Sequence, residues 1–131
     1  MDFVDAPARV AQRCAVRPVF VEGTDMALRV SVSGIRGVIG DGLDAVVAAR
    51  WAASFGRWLP PGPVVVGRDS RPSGPMMFQA VSASLMSTGH QVIDIGIATT
   101  PTTEMMVQES DAVGGVIITA SHNPQPWNAL K

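Results

Sequence analysis

The sequence has 131 residues, which suits a single domain with one hydrophobic core. Hydrophobic residues make up 47% and charged residues 16%, the balance of a packed globular unit rather than of a disordered tail. Ten basic and eleven acidic residues leave a formal net charge of −1, so we expect neither nucleic acid nor an anionic membrane among the partners.

The beginning of the chain has no sustained period of 2 or 3.6, and we expect residues 1–27 to be a poorly ordered N-terminal extension. Cys14 is the only cysteine, which excludes a disulfide framework and a thiolate metal site. No apolar stretch approaches the roughly 20 residues of a membrane helix, and no signal-peptide pattern is present, so we expect a cytoplasmic protein. Met26 is an alternative start, because a strand pattern follows it directly.

A strand, a glycine-rich loop and a helix are predicted next. Residues 28–33, LRVSVS, alternate as a strand does, and the loop SGIRGVIGDG follows. Asp44 is placed to cap a helix that ends at Pro60. The helix stripe that we predict to face the core consists of Val47, Trp51, Phe55 and Trp58.

Three further strands follow, with two helices between them. The strands are PVVVG (63–67), HQVIDIG (90–96) and AVGGVIIT (112–119). Gly89 is placed to end the longer helix, a short helix begins near Pro101, and His90 is predicted at the surface. Strands alternating with helices predict an α/β domain over residues 28–131, with three α/β/α layers around a mixed, mostly parallel four-stranded sheet.

Polar loops follow three of the predicted strands, at residues 33–37, 67–71 and 119–124. Ligands in such domains bind where strands end at the carboxyl edge of the sheet, so we expect these loops to converge. Closely spaced glycines let backbone N–H groups approach an anion, and arginine offers a planar fork that suits phosphate oxygens. The loops together predict a phosphate site.

The segment TASHNP at residues 119–124, followed by WNALK at residues 127–131, resembles the phosphoserine signature of the α-D-phosphohexomutases. These include phosphomannomutase, phosphoglucomutase and phosphoglucosamine mutase. SGIRG, VVVGRDSR and DIGIATTPT occur upstream in the family's order, so the resemblance covers residues 28–131. It implies an isomerase of carbohydrate metabolism that interconverts hexose 1- and 6-phosphates and binds a hexose monophosphate and its bisphosphate.

The resemblance also assigns roles to residues of the predicted phosphate site. Ser121 is expected to carry the phosphoryl group, and Lys131 and Arg36 match cations that support charge during its transfer. Residues expected to bind phosphate or to support the site are Ser33, Gly34, Arg68, Asp69, Arg71, His122 and Asn123. Among these, we expect Arg68, Asp69 and Arg71 to form ion pairs that hold the loop beside the serine.

In the family, an acidic loop of a second domain binds Mg²⁺. The phosphate on Ser121 is expected to supply one further ligand to this metal. That acidic run does not occur in this sequence. We therefore expect the sequence to be domain I alone, with domains II–IV as its partners. By itself it is expected to show no turnover and to bind Mg²⁺ weakly. Ser33, Trp127 and Ala129 depart from the residues common in the family, which leaves the hexose phosphate open.

A second function class stays open beside the mutase domain. It is a non-catalytic phosphate-binding or interaction module that keeps the same fold. A serine hydrolase is less favoured, because no G-x-S-x-G motif and no pair of an acid and a histidine is evident.

Overall fold

The computed structural model describes residues 28–131, and the extension predicted at residues 1–27 lies outside the described residues. Seven strands and three helices follow one another in this part of the chain. The strands are β1 (Arg29–Ser31), β2 (Gly34–Ile39), β3 (Gly42–Leu43), β4 (Val64–Arg68), β5 (Val92–Ile97), β6 (Gly114–Ile118) and β7 (Trp127–Leu130). The helices are α1 (Ala45–Trp58), α2 (Gly74–Ser87) and α3 (Thr100–Glu109).

All seven strands form one mixed sheet in the order β1-β2-β7-β6-β4-β5, with β3 paired to β2. Strand β4 is parallel to β5 and to β6, and the short β3 is parallel to β2. The pairs β1–β2, β2–β7 and β7–β6 are antiparallel. The antiparallel strands thus form one side of the sheet, beside a parallel unit of the kind that helices connect.

The predicted number of four strands is wrong, although the four predicted segments are present as β1, β4, β5 and β6. Strands β2 and β3 lie in the glycine-rich segment predicted as a loop, and β7 lies in the signature WNALK. Glycine is uncommon within strands, so Gly34 and Gly37 make β2 resemble a loop in the sequence. Both are needed because neighbouring strands pack closely against them. A Cβ added to Gly37 would lie 2.8 Å from the Cβ of Leu43.

Helices cover both faces of the sheet, which confirms the α/β class and its three layers. On one face α3 packs against β4 and β6, where a Cβ added to Gly67 would meet Thr103, and one added to Gly115 would meet Val107. Helices α1 and α2 pack on each other and enclose the main core on the opposite face. The buried residues of that core are Ile35, Leu43, Ala48, Ala52, Val64, Val66, Met77, Val81, Leu85, Val116, Ile118 and Leu130.

The ends of the helices follow the predicted signals. The Asp44 side chain caps α1 and accepts a hydrogen bond of 2.8 Å from the Val47 N–H. The Thr99 side chain caps α3, and Gly89 follows α2 with a φ of 94°. None of the helices within residues 28–131 has the length and apolarity needed to cross a membrane.

The predicted core stripe of α1 is wrong for its two tryptophans, which point outwards, whereas Val47 and Phe55 pack against the core. Trp51 is 41% exposed and Trp58 is 79% exposed. The buried face of α1 carries Ala48, Ala52 and Gly56 instead. These small residues let α1 approach the end of α2 closely, since a Cβ on Gly56 would lie 2.3 Å from the hydroxyl of Thr88.

His90 is buried, with 6% of its surface exposed, and the prediction that it lies at the surface is wrong. Its Nδ1 lies 2.8 Å from the carbonyl oxygen of Gly62, and its Nε2 lies 2.6 Å from that of Gly56. Both partners only accept, so the ring satisfies both when each nitrogen carries a proton. The carbonyls of Gly62 and then Gly56 raise the pKa of His90 above 6.5, against the lowering effect of burial.

Candidate active site

The turn after β6 holds Ser121 in a strained, outward position. Ser121 is exposed, and within residues 28–131 it is the one residue other than glycine with a positive φ, at 55°. A left-handed backbone costs such a residue about 1–2 kcal/mol, and strained residues concentrate at functional sites. Its N–H donates to Thr119 Oγ1 at 3.1 Å, and the Asn123 N–H donates to the Ala120 carbonyl at 3.1 Å. The turn therefore presents the hydroxyl of Ser121 at the carboxyl edge of β6.

Lys131 lies beside the serine because the end of the chain runs antiparallel to β6. Ile117 and Lys131 exchange backbone hydrogen bonds of 2.9 and 3.1 Å. The lysine side chain reaches the turn, and its Nζ donates to Ser121 Oγ at 2.6 Å. An ammonium group at this distance stabilises negative charge that develops on Oγ or on a phosphoryl group attached to it.

The Arg71 side chain binds the loop that carries Ser121 through four backbone carbonyls. Its Nη1 donates to the carbonyl oxygens of Pro124 at 2.8 Å and Trp127 at 3.1 Å. Its Nη2 donates to the carbonyl oxygens of Ser121 at 3.0 Å and Asn123 at 2.8 Å. The side chain is only 11% exposed, so one largely buried guanidinium binds four backbone oxygens of residues 121–127.

Asp69 orients Arg71 and links it to the serine turn. One carboxylate oxygen accepts from the Arg71 N–H at 3.0 Å, and the other accepts from Arg71 Nε at 3.0 Å. The second oxygen also accepts from the Thr119 hydroxyl at 2.7 Å. No role was predicted for Thr119, although it connects Asp69 to the Ser121 N–H. Its place directly after a buried strand is the one sequence signal for it.

Arg36 lies in β2 rather than in a loop, but its side chain reaches the same site. Its Nη1 donates to Asn123 Oδ1 at 2.7 Å, and its backbone pairs with Ala129 of β7. Gly34 begins β2 directly beside Lys131, since a Cβ added to it would lie 3.0 Å from the Lys131 Cα, and Ser33 precedes it in the turn between β1 and β2. The convergence predicted for the loops thus holds for residues 67–71 and 119–124, with Arg36 joining them from a strand.

Two other predicted residues make weaker contacts. Arg68 forms no ion pair within residues 28–131, and its Nη1 is 3.5 Å from the Asp69 carbonyl oxygen. Of the ion pairs expected in this loop, the Arg71–Asp69 pair is present at 3.0 Å. His122 is exposed, and its side chain makes no hydrogen bond to the described part of the chain.

Asn128 is a residue of the site for which no role was predicted. It is fully buried, and its Nδ2 donates to Ser73 Oγ at 2.8 Å. Its Oδ1 accepts from the Ala129 N–H at 2.8 Å. Ser73 directly precedes α2, so Asn128 fixes β7 to the loop that contains Arg71. Its position in the signature was the only available signal.

The described residues of the site favour an anion rather than a metal ion. Three cations, Arg36, Arg71 and Lys131, surround the turn of Ser121, and Asp69 is the one carboxylate in their network. No group of three histidines, cysteines, aspartates or glutamates in residues 28–131 is placed to hold a metal. Asp69 is occupied by Arg71 and Thr119, so these residues do not form the oxygen cage that Mg²⁺ requires.

Comparison with known proteins gives consistent matches. The family model described as phosphoglucomutase/phosphomannomutase, alpha/beta/alpha domain I, matches residues 28–131. A Thermococcus kodakarensis protein named "Probable phosphoglucosamine mutase" is 44% identical over 99 residues, 76% of this chain and 22% of the relative. A Trichodesmium erythraeum phosphoglucosamine mutase is 41% identical over 75% of this chain and 21% of the relative.

The fold matches a solved structure of the same group. A phosphoglucomutase/phosphomannomutase family protein from Burkholderia thailandensis superimposes with a TM-score of 0.69 at 33% identity. The match covers 79% of this chain and 26% of that protein. The chain therefore spans about a fifth to a quarter of the length of the proteins it matches.

Proposed function

The chain belongs to the phosphoglucomutase/phosphomannomutase family, and on that premise we propose that it is the phosphoserine-bearing domain of a hexose-phosphate mutase. The proposed substrates are a hexose monophosphate and the corresponding bisphosphate. The observation that carries the proposal is the hydrogen bond of 2.6 Å from Lys131 Nζ to the hydroxyl of a serine in a strained, exposed turn.

In the proposed reaction, Ser121 holds a phosphoryl group as an ester and transfers it to a hydroxyl of the sugar. The bond between phosphorus and Ser121 Oγ breaks while a bond to the sugar oxygen forms, and the proton of the sugar hydroxyl ends on Ser121 Oγ. Negative charge develops on the leaving Oγ, where Lys131 already donates a hydrogen bond. Arg36 acts on the turn through Asn123, and Arg71 acts through the backbone carbonyls, so both position the serine.

We propose that complete turnover requires further domains, the expected domains II–IV, since the matched region is only 22% of the Thermococcus kodakarensis relative. Phosphoryl transfer depends mainly on positioning and on charge stabilisation. The site described here supplies the serine and cations, but no walls that would hold a sugar in line. Mg²⁺ in the complete enzyme would need carboxylates from outside residues 28–131.

The first test is turnover by the chain alone. A coupled assay with glucose 1-phosphate, glucose 1,6-bisphosphate and Mg²⁺ should detect no hexose 6-phosphate. Turnover that depends on metal and disappears in Ser121→Ala would contradict the proposed need for further domains.

The second test separates a catalytic domain from a phosphate-binding module. Residues 28–131 replace the matching segment of the Thermococcus kodakarensis relative, and the chimera is assayed with its own Ser121→Ala variant as control. We expect activity in the chimera, none in the variant, and phosphate mapped to Ser121. A folded chimera that binds hexose phosphate but neither turns over nor becomes phosphorylated would favour the module.

A further inference from the structure

Two arginines lie side by side on neighbouring strands next to the serine turn. Arg29 of β1 and Arg36 of β2, which we call the arginine pair, are direct partners across the antiparallel strands. Their side chains therefore leave the sheet on the same face. Arg36 is also the partner of Ala129 in β7, whose carbonyl oxygen accepts from the Thr119 N–H at 3.0 Å. The arginine pair thus lies level with the residue that directly follows β6.

The positive charge of the arginine pair is not balanced by the described part of the chain. Directly opposed side chains of antiparallel strands have Cβ atoms about 4.5–5.5 Å apart, and like charges placed there are destabilising. Within residues 28–131 neither arginine forms an ion pair, since the salt bridge present there joins Arg71 to Asp69. Arg36 donates through Nη1 to Asn123 Oδ1, which carries no charge. An anion bound between the two guanidinium groups would remove their repulsion.

Trp127 holds the side chain of Arg29 in place for such an anion. The guanidinium carbon lies over the indole ring, 5.7 Å from its centre, which is within the range of a cation–π contact. This contact restricts the side chain but uses none of the hydrogen bonds that a guanidinium can donate to oxygen. Arg29 is exposed, so these donors are open to an anion from solvent.

We propose that the arginine pair binds a phosphate dianion beside the serine turn, with Trp127 positioning Arg29. The resemblance assigned no role to Arg29. Each guanidinium offers a planar fork that matches two phosphate oxygens, and a dianion balances both cations. The inference deepens the proposed function, and it rests on that function for the expectation that a hexose phosphate supplies the phosphate group.

Phosphate titration of the Ser121→Ala chain, followed by NMR, tests the site. This variant cannot form a phosphoserine, so binding is measured apart from phosphoryl transfer. Inorganic phosphate and glucose 6-phosphate should each shift the Nε–H resonances of Arg29 and Arg36 and the indole N–H resonance of Trp127. Tighter binding of glucose 6-phosphate would assign the hexose phosphate as the ligand, and equal binding would assign the phosphate group alone.

Arg29→Gln in the same chain should weaken the binding of both ligands at least about tenfold, because charge-assisted hydrogen bonds are lost. Arg57→Gln is the matched control, since Arg57 is exposed on α1 and the change in net charge is the same. We expect it to weaken binding less than about twofold. Trp127→Leu keeps the arginine pair and should weaken binding about threefold through the lost cation–π contact. Circular dichroism verifies that each variant is folded.

Equal dissociation constants in Arg29→Gln and Arg57→Gln would overturn the proposal, as would resonance shifts confined to residues 119–123. The result is separate from that of the chimera described above. An active chimera, together with phosphate binding that does not depend on Arg29, would refute the phosphate site alone. An inactive chimera, together with binding that depends on Arg29, would refute the mutase function and leave the phosphate site standing.

Discussion

Replacing Arg71 by alanine should release the serine loop and lower the free energy of unfolding by about 3 kcal/mol. The guanidinium donates five side-chain hydrogen bonds, one to Asp69 and four to backbone carbonyls. At a net value of about 1 kcal/mol each, they contribute roughly 5 kcal/mol. The carbonyls of Pro124 and Ser121 lie at exposed positions and regain water, so we subtract about 2 kcal/mol.

Urea unfolding followed by tryptophan fluorescence measures this loss, and amide exchange of residues 121–127 reports the release of the loop. Arg68→Ala is the matched control, because Arg68 ends β4 directly before the loop and its side chain makes one hydrogen bond, of 3.5 Å; we expect a loss below about 1 kcal/mol. Arg71→Lys should lose about 2 kcal/mol, since an ammonium group lacks the planar fork. Equal stability of Arg71→Ala and Arg68→Ala would refute this account of the loop.

Three further predictions concern other parts of the fold. The pKa of His90 is raised in the folded state, so its contribution to stability is full below about pH 6.5 and is lost as pH rises through the folded pKa. The urea midpoint of unfolding should therefore fall as pH rises. An equal fall in the His90→Asn variant would contradict the assignment of this effect to His90. Gly34→Ala places a Cβ 2.0 Å from a backbone oxygen of β7 at a φ of 98°, whereas Gly40→Ala at a φ of 83° meets open space. In thermal unfolding, Gly34→Ala should lose more than about 1 kcal/mol of stability beyond the loss in Gly40→Ala. Equal losses would exclude a clash between the Cβ and β7 as the cause. Thr119→Val should lower the free energy of unfolding by about 1–2 kcal/mol and speed amide exchange at Ser121, because it removes the hydroxyl. Thr119→Ser keeps the hydroxyl and should keep the slow exchange. Faster exchange in both variants would rule out the hydroxyl as the cause.

Local sequence signals predicted much of the fold and part of the site. Asp44 predicts the start of α1 because an N-cap is a local interaction, between one side chain and the backbone of the first helical turn. The charges of Asp69 and Arg71, two residues apart, likewise predicted their ion pair. The predictions of the roles of Ser121 and Lys131 rested on the resemblance and stay proposals, although the contact between the two side chains agrees with them.

Long-range packing decided the features that the sequence did not reveal. The four oxygens bound by Arg71 belong to the backbone, which leaves no signature in residue type. Helix α1 is apolar on more than one side, so its period did not separate the tryptophans from the buried Ala48 and Ala52. Strand β7 is too short to show alternation, and its neighbours β2 and β6 are remote in sequence.

The central position of β7 also determines when this sheet can be completed during synthesis. Among the described elements β2 emerges from the ribosome early, yet one of its neighbours consists of residues 127–130, which follow all three helices. Until those residues arrive, the β1–β2–β3 unit and the parallel unit lack the strand that joins them. Closing such a distant pairing is slow, and an unpaired strand edge is prone to associate with other chains meanwhile. Nascent chains stalled just before Trp127 emerges should therefore depend on chaperones more than chains stalled after Lys131 has emerged.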